Sequence, residues 1–160
     1  MTDPLHMSVE ELRAERTRLQ AQEDAVSFVR RVAQGRLDLA RDERTRRAEN
    51  RPSVDVTTDL AALFGQEHGG GSSRPPRDTA VPLDHPLVGQ LDALCDEVGF
   101  GALGALDVDS LDRAIDRLGE FERECSNERR SLFERIDGLT AELVSRYKSG
   151  GASVDALLDD

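Results

Sequence analysis

Two long stretches of the chain, residues 8–47 and 107–148, carry an apolar residue at every seventh position and contain no proline. A seven-residue repeat places these residues on one face of a helix and is typical of helices that pack along a shared seam. The sequence therefore predicts an all-α protein in which the two stretches form an antiparallel two-helix coiled-coil hairpin. The seam positions are Leu12, Leu19, Val26, Ala33 and Ala40 in the first stretch and Leu111, Leu118, Cys125, Leu132 and Leu139 in the second.

Composition favours such a hairpin over a thicker architecture. Of the 160 residues, 38% are hydrophobic, only 4% are aromatic and none is tryptophan. So few large side chains cannot fill the core of a sandwich, a barrel or a layered α/β domain. A helix that buries one narrow stripe needs far less apolar volume.

Charge and hydropathy narrow the class of protein further. The net charge of -11 argues against direct binding to DNA or RNA, because binding to a phosphate backbone depends on clustered cations. The N-terminal segment lacks the apolar run of a signal peptide, and no stretch has the length and apolarity of a membrane span. We therefore expect a cytoplasmic protein that does not contact a membrane.

The region between the two stretches, residues 48–106, is predicted to be a linker. Its segment His68–Asp78 is rich in Gly, Ser and Pro, a composition that indicates flexibility. Two apolar patches, Leu60–Phe64 and Leu87–Val98, are each long enough for a short helix. Residues 149–160 follow the second stretch as a C-terminal tail that begins with glycines.

Polar residues interrupt the apolar seam at equivalent places in the two stretches. Five positions of the first stretch recur in the second with a constant offset of 99 residues, and four of the five residue types are kept. On a helix these positions lie within an arc of about 80° and span about 22 Å, which describes one polar groove. They are Glu23, Ser27, Arg30, Gln34 and Asp38 in the first copy and Glu122, Ser126, Arg129, Phe133 and Asp137 in the second.

These residue types suit a guanine nucleotide. Arginine can bind the O6/N7 edge of guanine or a phosphate, and carboxylates can accept from guanine N–H groups. A metal site is disfavoured because the motif has no histidine and its arginines would repel a cation. Two motif copies on antiparallel helices would be related by a pseudo-two-fold axis, which favours a ligand with its own two-fold symmetry.

Two other interpretations remain open from the residues alone. The Glu and Arg residues would also pair across the helices if they only fixed the register of a structural coiled-coil adaptor that binds no small molecule. An enzyme is disfavoured, because no phosphate-binding glycine loop or nucleophile–base pair is found and the three histidines lie outside the motif. We therefore expect no catalytic residue and no cofactor.

The first motif copy resembles the RsiG-type anti-sigma factors. The segment 23–38, with the sequence EDAVSFVRRVAQGRLD, has the Glu-x3-Ser-x2-Arg-x3-Gln-x3-Asp pattern of that family. The resemblance implies a hairpin that binds a dimer of cyclic di-GMP between its helices. The nucleotide-bound hairpin would then sequester a flagellar-type RNA polymerase sigma factor that drives the transcription of sporulation genes. Carried over by position, it also implies that the polar residues of both motif copies contact the nucleotide. Phe133 departs from the pattern: it cannot hydrogen-bond as glutamine does, although its ring offers a face on which guanine could stack.

Overall fold

The computed structural model describes residues 4–51 and 85–149. These residues form three α-helices, α1 over Val9–Ala48, α2 over Pro86–Glu97 and α3 over Val108–Lys148. Short 3-10 helices cover Pro4–His6 and Phe100–Ala105, and within these described ranges no residue lies in a strand. The two long helices pack against each other, so the predicted all-α architecture is confirmed.

Parts of the predicted linker and tail lie outside the described residues. These are the patch Leu60–Phe64, the glycine-rich segment His68–Asp78 and the tail from residue 150 onward. The other apolar patch, Leu87–Val98, overlaps helix α2, which buries Leu91, Leu94 and Cys95. Within the part of the chain that the structure covers, no helix combines the length and apolarity needed to cross a membrane.

The chain divides into two compact units, each of which contains part of both long helices. The terminal unit comprises the described parts of residues 1–27 and 126–160, and the central unit comprises those of residues 28–125. In both units the pairing of α1 with α3 is antiparallel, because the residue number rises on one helix as it falls on the other. Ion pairs show this register: Glu15–Arg135 and Glu23–Arg129 in the terminal unit, and Arg30–Glu122 and Arg44–Asp112 in the central unit.

The predicted seam forms the core of this pairing. All ten of its residues are buried, with exposed fractions between 0% and 4%. Burying a leucine side chain contributes about 1.5–3 kcal/mol relative to leaving it in water. The regular burial of one side chain in every seven therefore explains why two helices of such polar composition stay paired.

Charged side chains fix the end of α1 in the central unit. Glu43 is 4% exposed and accepts from the Arg47 Nε at 2.8 Å, while Arg46 lies beside it at 3.8 Å. Arg47 also donates to the backbone oxygens of Leu103 and Leu106, at 2.7 and 2.6 Å. This buried charge network attaches the last turn of α1 to the segment that leads into α3.

Both long helices begin with a side-chain cap. At the start of α1, the Ser8 N–H donates to the Glu11 carboxylate at 2.7 Å and the Glu11 N–H donates to the Ser8 Oγ at 3.1 Å, which is a capping box. At the start of α3, the Ser110 N–H donates to the Asp107 carboxylate at 2.7 Å. These hydrogen bonds hold the pKa of Glu11 and the pKa of Asp107 below their ordinary values.

The caps predict a pH dependence of stability. Because the folded pKa of each carboxyl lies below its unfolded value, its stabilisation is present above the unfolded pKa and is lost as the pH falls through the folded one. We expect a Glu11→Gln/Asp107→Asn variant to melt below the wild type at pH 7. The difference should shrink as the pH is lowered from 5 to 3, around the ordinary carboxyl pKa of about 4. Thermal melts followed by circular dichroism measure the difference in melting temperature between the wild type and the variant. A difference that stays the same at every pH would contradict the prediction.

Candidate functional site

One part of the repeated motif forms the Arg30 cluster of the central unit, which we define as Arg30, Gln34 and Glu122. The Arg30 Nη1 donates to the Glu122 carboxylate at 3.2 Å and to the Gln34 side-chain oxygen at 3.3 Å. The side chains of Arg30 and Glu122 are 23% and 21% exposed. The ion pair thus joins α1 to α3 at the edge of the apolar seam.

Arg30 also carries an unsatisfied donor. Its Nε is buried and has no hydrogen-bond partner within the described structure. A buried donor without a partner costs about 1–3 kcal/mol, and such groups are uncommon in folded proteins. A ligand with an acceptor at this position would remove that cost.

The other part of the motif forms the Arg129 cluster of the terminal unit, which we define as Glu23, Ser27, Arg129 and Phe133. The Arg129 Nε donates to the Glu23 carboxylate at 3.1 Å, and the Ser27 hydroxyl donates to the same carboxylate oxygen. The Arg129 guanidinium carbon lies 4.9 Å from the centre of the Phe133 ring. Arg129 is therefore held by a carboxylate on α1 and by an aromatic ring one turn along α3.

The two clusters share the same kind of ion pair. In each unit the arginine of one motif copy pairs with the glutamate of the other copy, over nearly equal distances of 3.1 and 3.2 Å. This exchange of partners follows from placing two copies of one motif on antiparallel helices. Ion pairs that only fix the register of a structural coiled coil would be arranged in the same way. The pairs by themselves therefore fit both a nucleotide site and a structural adaptor.

The remaining motif residues are placed less uniformly. Asp38 and Asp137 are exposed, and Asp38 lies 3.8 Å from Arg41 on the same helix. Among the described residues, no hydrogen bond or ion pair joins either aspartate to an Arg–Glu pair. Ser126 is half-buried on α3. The structure thus brings both Glu–Arg pairs together with Ser27 and Gln34, and it leaves one exposed aspartate at the end of each motif copy.

Sequence reasoning missed the contact between Arg129 and Phe133. It treated the ring as a surface for the base, whereas the structure places the ring against the guanidinium. The spacing of four residues between Arg129 and Phe133 could have predicted this contact, because side chains at i and i+4 are neighbours on a helix.

A surface cavity in the terminal unit is not formed by the motif. Its volume is about 420 Å³, and Glu15, Arg18 and Arg135 lie in its wall. Neither of its two arginines is one of the ten motif residues, and both lie within 4 Å of the Glu15 carboxylate. We therefore place the candidate site at the Arg30 and Arg129 clusters, which the repeat makes equivalent and the first of which contains an unsatisfied buried donor.

Comparison with known proteins adds an independent finding. A family model described as RsiG-like matches residues 1–63 and 97–160, which include both motif copies and both long helices. No curated protein matches the chain. Because the family model covers well over half of the sequence, the chain belongs to the RsiG-like family.

Proposed function

We propose that this protein is an anti-sigma factor that binds cyclic di-GMP through the Arg30 and Arg129 clusters. When nucleotide-bound, it sequesters a flagellar or sporulation-type sigma factor of RNA polymerase and so represses transcription. Membership of the RsiG-like family supports a role in anti-sigma regulation, which is not an enzymatic one. The observation that carries the nucleotide proposal is the same Arg–Glu pair in both units, in one of which a buried arginine donor lacks a partner.

The chemistry of guanine fits these clusters. Guanine presents the O6 and N7 acceptors on one edge and N–H donors on another, so it can meet an arginine and a carboxylate at once. Hydrogen bonds to charged groups contribute about 1.5–3 kcal/mol each, enough for a small site to bind its ligand tightly. The proposed ligand is a dimer of cyclic di-GMP, bound between α1 and α3 by Glu23, Ser27, Arg30, Gln34, Asp38, Glu122, Ser126, Arg129 and Asp137, with Phe133 at the fourth position of the second motif copy.

The charge of the chain supports the proposed partner. A net charge of -11 complements the basic surface that a sigma factor uses to bind DNA. Complementary charge mainly raises the rate of association and is screened by salt. Capture of the sigma factor should therefore weaken as the salt concentration rises.

The nucleotide should raise the melting temperature of the protein. A ligand that binds only the folded state stabilises it by about 2.7 kcal/mol at a hundred times its Kd. Cyclic di-AMP is the matched control, because adenine has an amino donor where guanine has the O6 acceptor. Differential scanning fluorimetry should show a rise with cyclic di-GMP and little change with cyclic di-AMP. An unchanged melting curve at saturating cyclic di-GMP would count against the proposed ligand.

A pull-down tests the proposed partner and separates it from a structural adaptor. The immobilised full chain should retain the flagellar or sporulation-type sigma factor with cyclic di-GMP and release it without nucleotide. An adaptor whose polar layers only fix the register would bind its partner equally in both conditions. Equal capture, or no capture with the nucleotide present, would contradict the proposal.

A further inference from the structure

The two clusters support their arginines by different chemistry. Arg30 Nη1 carries two N–H groups, and its hydrogen bonds to Gln34 and Glu122 engage both. Arg129 uses its Nε for Glu23, and its guanidinium lies on the Phe133 ring, which accepts no N–H bond of the ordinary kind. At the fourth motif position, Gln34 therefore occupies an N–H donor of Arg30, whereas Phe133 occupies no donor of Arg129.

The two arginines therefore differ in the N–H donors that they leave for a ligand. Within the described residues, the Nη1 and Nη2 of Arg129 make no hydrogen bond or ion pair, so both can point at one acceptor pair. A planar fork of two N–H donors is the geometry that binds a guanine O6/N7 edge or a phosphate in a bidentate way. The side chains of Arg129 and Arg30 are 38% and 23% exposed, so the fork of Arg129 is also the more accessible.

We propose that Phe133 is a positioning residue, which holds the Arg129 guanidinium by cation–π contact and leaves both of its terminal nitrogens for the ligand. The ring thus replaces the glutamine of the first motif copy without occupying an N–H donor. It acts through Arg129 and not by stacking on a base. This inference deepens the proposed function and rests on it for the identity of the ligand, whereas the Arg129–Phe133 contact is independent of any ligand.

Nuclear magnetic resonance of the protein without nucleotide tests the contact itself. A proton above an aromatic ring is shifted upfield, so the Hε of Arg129 should move downfield in a Phe133→Leu variant. Arg130 is exposed on the same turn and should not move. No change at Arg129 would overturn the inference, whether or not the protein binds cyclic di-GMP.

Titration with cyclic di-GMP then tests the role of the contact. Phe133→Leu should weaken binding on the order of fivefold, the size expected for one cation–π interaction, and Phe133→Tyr should restore it. Phe121→Leu is the matched control, since Phe121 lies in the central unit outside both clusters, and it should bind like the wild type.

A double-mutant cycle separates positioning from stacking. If Phe133 acts through Arg129, the Phe133→Leu change should have no further effect in an Arg129→Gln background, which removes the cation. An equal loss in both backgrounds would mean that the ring contacts the nucleotide itself and would overturn the inference. A wild type that binds no cyclic di-GMP would instead refute the proposed ligand, and the resonance of Arg129 would still decide the contact.

Discussion

Replacing both Arg30 and Arg129 by alanine should lower the affinity for cyclic di-GMP at least a hundredfold and leave the helix content unchanged. Each arginine is expected to donate charged hydrogen bonds worth about 1.5–3 kcal/mol, and each 1.4 kcal/mol is a factor of ten in affinity. Neither side chain belongs to the buried apolar seam, which holds the helices together. Equilibrium dialysis measures the affinity, and far-ultraviolet circular dichroism measures the helix content.

The chain offers a matched control for this pair. Arg31 and Arg130 follow the motif arginines directly, are separated by the same offset, and are exposed. An Arg31→Ala/Arg130→Ala variant removes the same charge from the same turns, so it should bind within about threefold of the wild type if only exposed charge is lost. Equal losses in the two double variants would show that general positive charge attracts the nucleotide and that the clusters do not recognise it.

Replacing Glu43 by alanine should destabilise the fold by about 3–5 kcal/mol, because it removes the carboxylate of a buried charge network and leaves the Arg47 guanidinium without its ion-pair partner. Glu43 is 4% exposed and pairs with Arg47, which also holds two backbone oxygens before α3. Urea unfolding followed by circular dichroism measures the change in the free energy of unfolding.

An exposed ion pair gives the comparison for Glu43. Glu120 lies 3.9 Å from Arg117 on the surface of α3, and its side chain is 59% exposed. Glu120→Ala should change the free energy of unfolding by less than about 1 kcal/mol, since exposed pairs contribute little. If Glu43→Ala were as mild as Glu120→Ala, the network would not anchor the end of α1.

The apolar seam could be predicted from the sequence because it depends on the spacing of residues along a single helix. A buried residue in every seven is a property of one helix, and the Ser8–Glu11 capping box marks the start of α1. The predicted stretch 8–47 therefore agrees closely with Val9–Ala48 in the structure. The contacts of Arg47 with Leu103 and Leu106 could not be predicted, because they depend on where a distant segment of the chain returns to α1.

The motif could be predicted as a pattern but not as a set of contacts. The constant offset shows which residues are equivalent, whereas the pairing of Arg30 with Glu122 depends on the register between the helices. Asp38 lies on the same arc as Arg30, yet the arc is about 80° wide and its edge faces water. Local spacing therefore identifies the candidate site, and only the packing of the helices decides which of its side chains meet.

Calorimetric titration of cyclic di-GMP into the full chain tests the central claim most directly. Two equivalent Arg–Glu clusters and a dimeric ligand predict saturable binding of two nucleotide molecules per chain, lost in the Arg30→Ala/Arg129→Ala variant. The titration is run with and without the sigma factor, so that a site completed by the partner is also detected. Saturable heat that disappears in the variant is the expected result, and the absence of saturable heat in both titrations would contradict the account.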